Sequence, residues 1–332
     1  MGKVRPYDYL FLSTRVKSLE RNLLNRERMD RMLEARSNED ALEVLLECDY
    51  GEVPAANVQA IDKAVDVQRT KMMEDLAAFA PDRDVVDSFK VRYDYHNVKV
   101  LLKSEAMGVD AERLLLDTGR VSVKVLENKV RSNDPTGLPP ILATAVAEAR
   151  DVLGSTGDPQ LADFALDRAY YLDMDDIAQR TGSEFLRGYV RISVDAANLR
   201  SVVRTLRMGK GIEFLSGVLF AGGNLDTGRI LNAVGSGGSL EELYATSLLR
   251  EAAEEATHIL GGGPMTRFEK LTDDAVTAYL ASAKYVAFGE SSLISYIAAK
   301  ENEFTAVRII MAGRMAGLDT ETIRERLREA YV

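Results

Sequence analysis

Cysteine and histidine are almost absent from this chain: Cys48, His96 and His258 are the only three in 332 residues. One thiol cannot close an internal disulfide, which points to a reducing, cytosolic setting. Neither histidine has a second histidine or a cysteine at ligand spacing, so no metal site is expected. Tryptophan is missing and aromatics make up 7% of residues, thin material for a deep aromatic-lined substrate pocket. Basic residues are not in excess: 42 Lys and Arg face 52 Asp and Glu, a net charge of −10, which argues against a nucleic-acid binder. The best apolar run, Phe214 to Gly223, falls well short of the ~20 residues a spanning helix needs. No basic, apolar, small-residue sequence opens the chain, so no signal peptide is expected, and membrane association is expected only through a partner.

What is abundant is helical periodicity, with 46% apolar residues and only eight prolines. It is organised as a triplicate. VRYDYHNVKVLLK around Asp94, RISVDAANLRSVVR around Asp195 and AAKENEFTAVRIIM around Glu303 share one pattern. An acid is followed three residues later by Asn97, Asn198 or Ala306, then by an aliphatic, then by the bases Lys99, Arg200 and Arg308. The offsets are 101 (195 − 94) and 108 (303 − 195). A second landmark upstream keeps step, at Asp66, Asp167 and Asp273. Two landmarks sharing one period identify a repeated module.

Each module is expected to close with a signature helix, the first over roughly 84–107 and stopped by Gly108. On that helix Val98, Leu101 and Leu102 form a core stripe, matched by Leu199, Val202 and Val203 and by Val307, Ile310 and Met311. Arg92, His96, Lys99 and Lys103 form a polar stripe on another side. Upstream, the periodicity predicts one long helix over 7–36, a second over 41–48 capped by the polar stretch 37–40, and a third over 57–79 ending before Pro81. Boundaries follow at 108/109 and 217/218. The expectation is an all-α protein of three similar helical-bundle domains, 1–108, 109–217 and 218–332. A unit this long can hold its own core, which favours three bundles around a pseudo-threefold hollow over a stacked solenoid.

Catalytic chemistry finds little support. His96 reads as a surface residue and Cys48 as a small buried hydrophobe. Asp173, Asp175 and Asp176 resemble the acidic magnesium motif of helical prenyl-transfer enzymes; that reading needs Asp173 and Asp176 facing a deep pocket, with Asp273 and Asp274 opposite. The glycines at 261–263 and the run Gly209-Lys210-Gly211 fail as phosphate loops. A constraint present in every module is structural before it is functional. Asp66, Asp94, Asp167, Asp195, Asp273, Glu303 and Arg308 are therefore read as repeat anchors, paired with opposite charges between packed helices. Lys90 and Arg191, four residues before Asp94 and Asp195, allow a local pair worth about 0.3 kcal/mol.

The stretches YIAAKENEFTAVRIIMAGRMAGLDTETIRERLREAYV, YDYHNVKVLLKSEAMG, VDAANLRSVVRTLRMGKG and YDYLFLSTRVKSLE together resemble the C subunit of archaeal and bacterial A/V-type rotary ATPases, a family related to the d subunit of the eukaryotic vacuolar pump. Ala306 departs from the pattern, where the other copies have Asn. The resemblance implies a funnel-shaped, non-catalytic central-stalk socket without cofactors. It would sit peripherally between the rotor shaft subunits and the membrane proteolipid ring, coupling ATP turnover to proton or sodium transport. Lys99, Arg200 and Arg204 are the expected shaft contacts, and Leu219 and Phe220 the expected ring contacts. A soluble helical adaptor outside any membrane complex is the alternative.

Overall fold

The computed structural model describes residues 4–331, and all regular structure among them is helical. The first module holds α1 (Leu10–Leu19), α2 (Arg26–Glu34), α3 (Asn38–Glu43), α4 (Val58–Phe79) and the signature helix α5 (Arg83–Met107). The second holds α6 (Val123–Arg131), α7 (Pro140–Thr156), α8 (Pro159–Thr181) and its signature helix α9 (Glu184–Arg207). The third holds α10 (Ile212–Val218), α11 (Thr227–Gly235), α12 (Leu240–Leu243), α13 (Arg250–Leu260), α14 (Met265–Ala281), the signature helix α15 (Glu290–Met315) and α16 (Thr320–Arg324).

Local chemistry sets these bounds. Asp82 caps α5 by accepting from the Asp84 N–H, and Gly108 ends it in the left-handed region at φ 64°. Ser183 caps α9 through the Leu186 N–H. The single helix predicted over 7–36 is in fact broken. Leu23 is extended, and Asn25 caps α2 by accepting from the Arg28 N–H, so the chain turns between Asn22 and Arg26. Asn competes well for that role because its side chain satisfies an N–H the helix leaves open. The segment predicted as helix over 41–48 is helical only to Glu43, then tightens into a 3₁₀ turn, Val44–Cys48.

The three core stripes of the signature helices are buried, none more than 5% exposed. Packing follows a rule that crosses the sequence modules. Signature helix α5 packs on α8, α9 on α14, and α15 on α4. Each signature helix thus lies against the α-helix that precedes the signature helix of the following module, and the last lies against that of the first. One core cluster joins Ile192, Leu199, Val202 and Val203 of α9 to residues between Leu215 and Ala275. Helix α15 also touches both α5 and α9. Its Ser291, Ser292 and Ser295 are buried, and the Ser295 hydroxyl donates to the Leu280 carbonyl at 3.0 Å.

Candidate functional site

The repeated acids and bases meet along these helix pairs. Lys99 Nζ lies 2.6 Å from Asp167, and Arg200 is ion-paired with Asp273. Arg308 reaches Asp62 at 2.7 Å and Asp66 at 3.4 Å. One turn further, Lys103 meets Asp163 at 2.5 Å and Arg204 meets Glu269 at 2.9 Å. Bases four apart ascending meet acids four apart descending, so α5/α8 and α9/α14 are antiparallel ladders of two rungs. Arg308 has no second base above it and takes both Asp62 and Asp66 itself. These side chains are a quarter to half exposed, so each rung contributes at most about 1 kcal/mol.

A second interlock is buried. The Asp94 carboxylate accepts from Arg120 Nε at 2.8 Å and from the Val121 N–H at 3.1 Å. Asp195 accepts from the Leu225 N–H and from both nitrogens of Asn224. Glu303 accepts from the Leu24 N–H at 2.8 Å and from Lys300 at 2.7 Å. Val121, Leu225 and Leu24 each stand one residue before the N-cap of α6, α11 and α2, at Ser122, Asp226 and Asn25. Each signature acid therefore grips the segment entering an early helix of the next module, and the third grips one in the first. Desolvation pushes the Asp94 and Asp195 carboxyls above their ordinary range, against the pull of Arg120 on the one and of the Leu225 and Asn224 donors on the other.

The asparagines extend this grip. Asn97 donates to the Leu116 carbonyl at 2.8 Å and accepts from its N–H at 2.9 Å. Asn198 does the same to Phe220, both contacts at 2.8 Å. Leu116 and Phe220 stand five residues before Val121 and Leu225. The matching position before Leu24 is Leu19, which is already inside α1. Its backbone needs no clamp, which accounts for Ala306.

The remaining candidates separate. Leu219 and Phe220 are each only 8% exposed, and the Phe220 ring packs tilted against Tyr171 with centroids 4.8 Å apart. Their side chains serve the interior, because the Asn198 clamp draws that loop inward. Asp173 is buried and held by Arg120 at 2.7 Å and 3.0 Å, while Asp176 pairs with Arg180 at the surface. The prenyl-transfer reading needs both acids free to face a pocket, so this arrangement removes it. Lys90 pairs with Asp87 at 4.0 Å and leaves Asp94 to Arg120. Cys48 is buried, with its thiol pKa pushed up to about 12, foremost by desolvation and then by Glu303. Among the described residues, no group of three His, Cys, Asp or Glu side chains is placed to hold a metal ion.

Between α4, α5, α8 and α15 lies a cavity of about 400 Å³. Arg69, Arg92, Lys99 and Arg308 line it on the cationic side, Asp167 and Glu301 on the anionic. Arg69 and Glu301 were missed as site residues because neither lies in a repeated column of like charge. His96 is at the wall, with Nε2 2.9 Å from the Leu114 carbonyl. The polar stripe of α5 therefore faces a hollow, with Lys99 in its wall, whereas Arg200 and Arg204 lie along α9 and α14.

Comparison with known proteins gives a consistent result. The family described as ATP synthase (C/AC39) subunit matches over residues 12–326. The C subunit of the V-type sodium ATPase of Enterococcus hirae is 23% identical over 329 residues, spanning 98% of this chain and 99% of the relative. The C subunit of the V-type ATP synthase of Thermus thermophilus is 27% identical over 337 residues, spanning 96% and 98%. The C subunit of the A-type ATP synthase of Methanocaldococcus jannaschii is 25% identical over 349 residues, spanning 96% and 86%.

Proposed function

The chain belongs to the ATP synthase (C/AC39) subunit family, and from that premise we propose that it is the non-catalytic socket of a rotary ATPase central stalk. In this reading it takes the rotor shaft on its polar hollow and rests on the membrane proteolipid ring at the cytoplasmic face. It passes torque between them, with its three similar bundles set as a funnel. In this reading attachment runs through the ring; no described helix is long and apolar enough to cross a membrane.

The observation that carries the reading is the cyclic interlock. Lys99 with Asp167, Arg200 with Asp273 and Arg308 with Asp66 link each module to the next and the last to the first. A part that transmits torque must resist sliding between its units. Buried grips at Asp94, Asp195 and Glu303 supply that resistance, and shallow ion pairs alone would not. Shaft contact falls on the cationic lining that includes Lys99, with Arg204, whose side chain is 57% exposed, the more accessible of the α9 bases. Leu219 and Phe220 are committed to the interior, so the ring is met by other, exposed side chains.

The test is affinity capture of the tagged chain from detergent-solubilised native membranes. Co-purification of shaft subunits and the proteolipid is expected. Capture of soluble partners alone, with shaft and ring present in the same lysate, would refute the socket and favour an adaptor.

A further inference from the structure

The cavity between α4, α5, α8 and α15 is where the threefold repeat is broken. Two residues before Asp94, Asp195 and Glu303 stand Arg92, Ser193 and Glu301. One repeated position thus carries a cation, a hydroxyl and an anion. Arg92 and Glu301 both face the cavity, as do the next members of the same stripes, His96 with Thr305 and Lys99 with Arg308.

Most charges in the wall are already used. Lys99 is hydrogen-bonded to Asp167, Arg308 to Asp62, and Arg69 Nη1 to Asp66 at 2.6 Å. Glu301 takes the Tyr93 hydroxyl at 2.5 Å and stands 3.6 Å from Arg69 and 3.8 Å from Arg92. Two guanidiniums therefore share one carboxylate at long range. Arg92 makes no hydrogen bond among the described residues, and its side chain is 54% exposed over the Tyr93 ring. Behind it, Arg69 is 3% exposed and its buried Nε has no hydrogen-bond partner. Buried donors are nearly always satisfied, and an exception in a cavity wall calls for an explanation. A planar guanidinium with unused donors matches a carboxylate, which it can hold through two parallel contacts.

We propose that this cavity receives a carboxylate from the partner entering between the signature helices α5 and α15, and that Arg92 binds it. The inference rests on the socket reading and names the chemistry of its contact. The matching positions of the other two copies, Ser193 and Glu301, carry no cation, so the α5 copy alone offers one. The protein's net charge of −10 opposes an acidic partner at a distance. Beyond the ~10 Å screening length at 0.1 M salt that repulsion fades, and the local contact decides.

The experiment titrates the purified shaft subunits of the same rotary ATPase against the full chain, Arg92→Glu, Arg92→Gln and Arg250→Glu, by biolayer interferometry at two salt concentrations. Arg250 is exposed on α13 outside the cavity and carries the same charge change. Thermal melts of all four confirm that each is folded. Arg92→Glu is expected to weaken binding by at least roughly tenfold, the scale of a charge-assisted hydrogen bond, and Arg92→Gln by less. Arg250→Glu should stay within about twofold. Acid-to-lysine changes along the shaft segment should restore Arg92→Glu binding at one position only. If wild type binds and Arg92→Glu matches Arg250→Glu, the carboxylate contact is overturned while the socket reading stands. Equal rescue at several shaft positions overturns a single carboxylate contact. Failure of the wild type to bind shaft at all removes the socket reading, and this inference with it.

Discussion

Replacing Asn198 by Ala tests the interlock at its most buried point. The Asn198 side chain is the sole described partner joined to both the N–H and the C=O of Phe220, at 2.8 Å each. Asn198 is fully buried and Phe220 is 8% exposed, so water does not replace the lost contacts. Leaving a buried backbone group unpaired costs about 1–3 kcal/mol. Two such groups, partly relieved by movement of the loop, give an expected loss of roughly 2–4 kcal/mol. The assay is urea unfolding of the full chain followed by circular dichroism, with hydrogen exchange read at the Phe220 amide. That amide should lose protection before the amides of α9 do. Asn97→Ala should cost less, because Leu116 is only half-buried and its backbone can turn to water. A loss below about 0.5 kcal/mol for Asn198→Ala, with Phe220 still protected, would refute the clamp.

Three further outcomes follow from the same geometry. A Cβ at Gly119 or Gly223 would stand 2.2 Å from a carboxylate oxygen of Asp94 or Asp195; Gly119→Ala and Gly223→Ala should therefore each cost about 2–3 kcal/mol, and unchanged melting temperatures would refute the close grip. Arg120→Met strands the buried Asp94 and Asp173 and should cost about 3–5 kcal/mol, whereas Arg204→Ala removes an exposed rung and should cost under about 1 kcal/mol; chemical denaturation of both variants should show that order, and equal losses would contradict it. The Cys48 thiol, raised to about 12, is neutral at pH 8 because pH lies below its pKa. Native protein should resist alkylation until pH approaches that value or urea unfolds the chain, and rapid labelling at pH 8 would contradict the burial.

The fold class and the signature helices could be read from the sequence because they rest on periodicity. Val98, Leu101 and Leu102 announce a buried stripe whatever they pack against. The partner of that stripe is another matter. Asp167 and Lys99 stand in two repeated columns, and their period says they belong together without saying which module meets which. The answer, one module onward, comes from packing α5 on α8, and for Arg308 it spans 246 residues of chain. Arg120 carried no signal at all. Its position holds Asn224 in the second grip and Leu23 in the third, so no repeat marks it, yet it satisfies two buried carboxylates. The break before Asn25 was hidden for a related reason. Helical propensity runs through 7–36, but Leu24 must offer its N–H to Glu303, and an N–H inside a helix is already taken.

The one-module offset also decides whether the chain forms a row or a ring. In a row of three such units, Arg308 at one end would have no acid opposite it, and Asp66 at the other only Arg69 of its own helix. Here they meet each other. The closing junction is built differently from the other two. It has Ala306 where they have a clamping asparagine, and a longer acid, Glu303, where they have Asp beside Gly119 or Gly223. A longer side chain reaches Leu24 without a glycine to admit it. It also has a tie the others lack: Arg314 donates to the carbonyls of Leu33, Ala35 and Ser37 at 2.7–2.9 Å and to the Asn38 side chain at 3.2 Å. Four contacts from one guanidinium tie α15 to the turn between α2 and α3, where the other junctions use two from an amide. The junction that joins the two ends of the chain has no covalent linker of its own, so it holds only by such contacts. Arg308, Glu303 and Arg314 therefore do alone at this junction what the continuous chain helps to do at the other two.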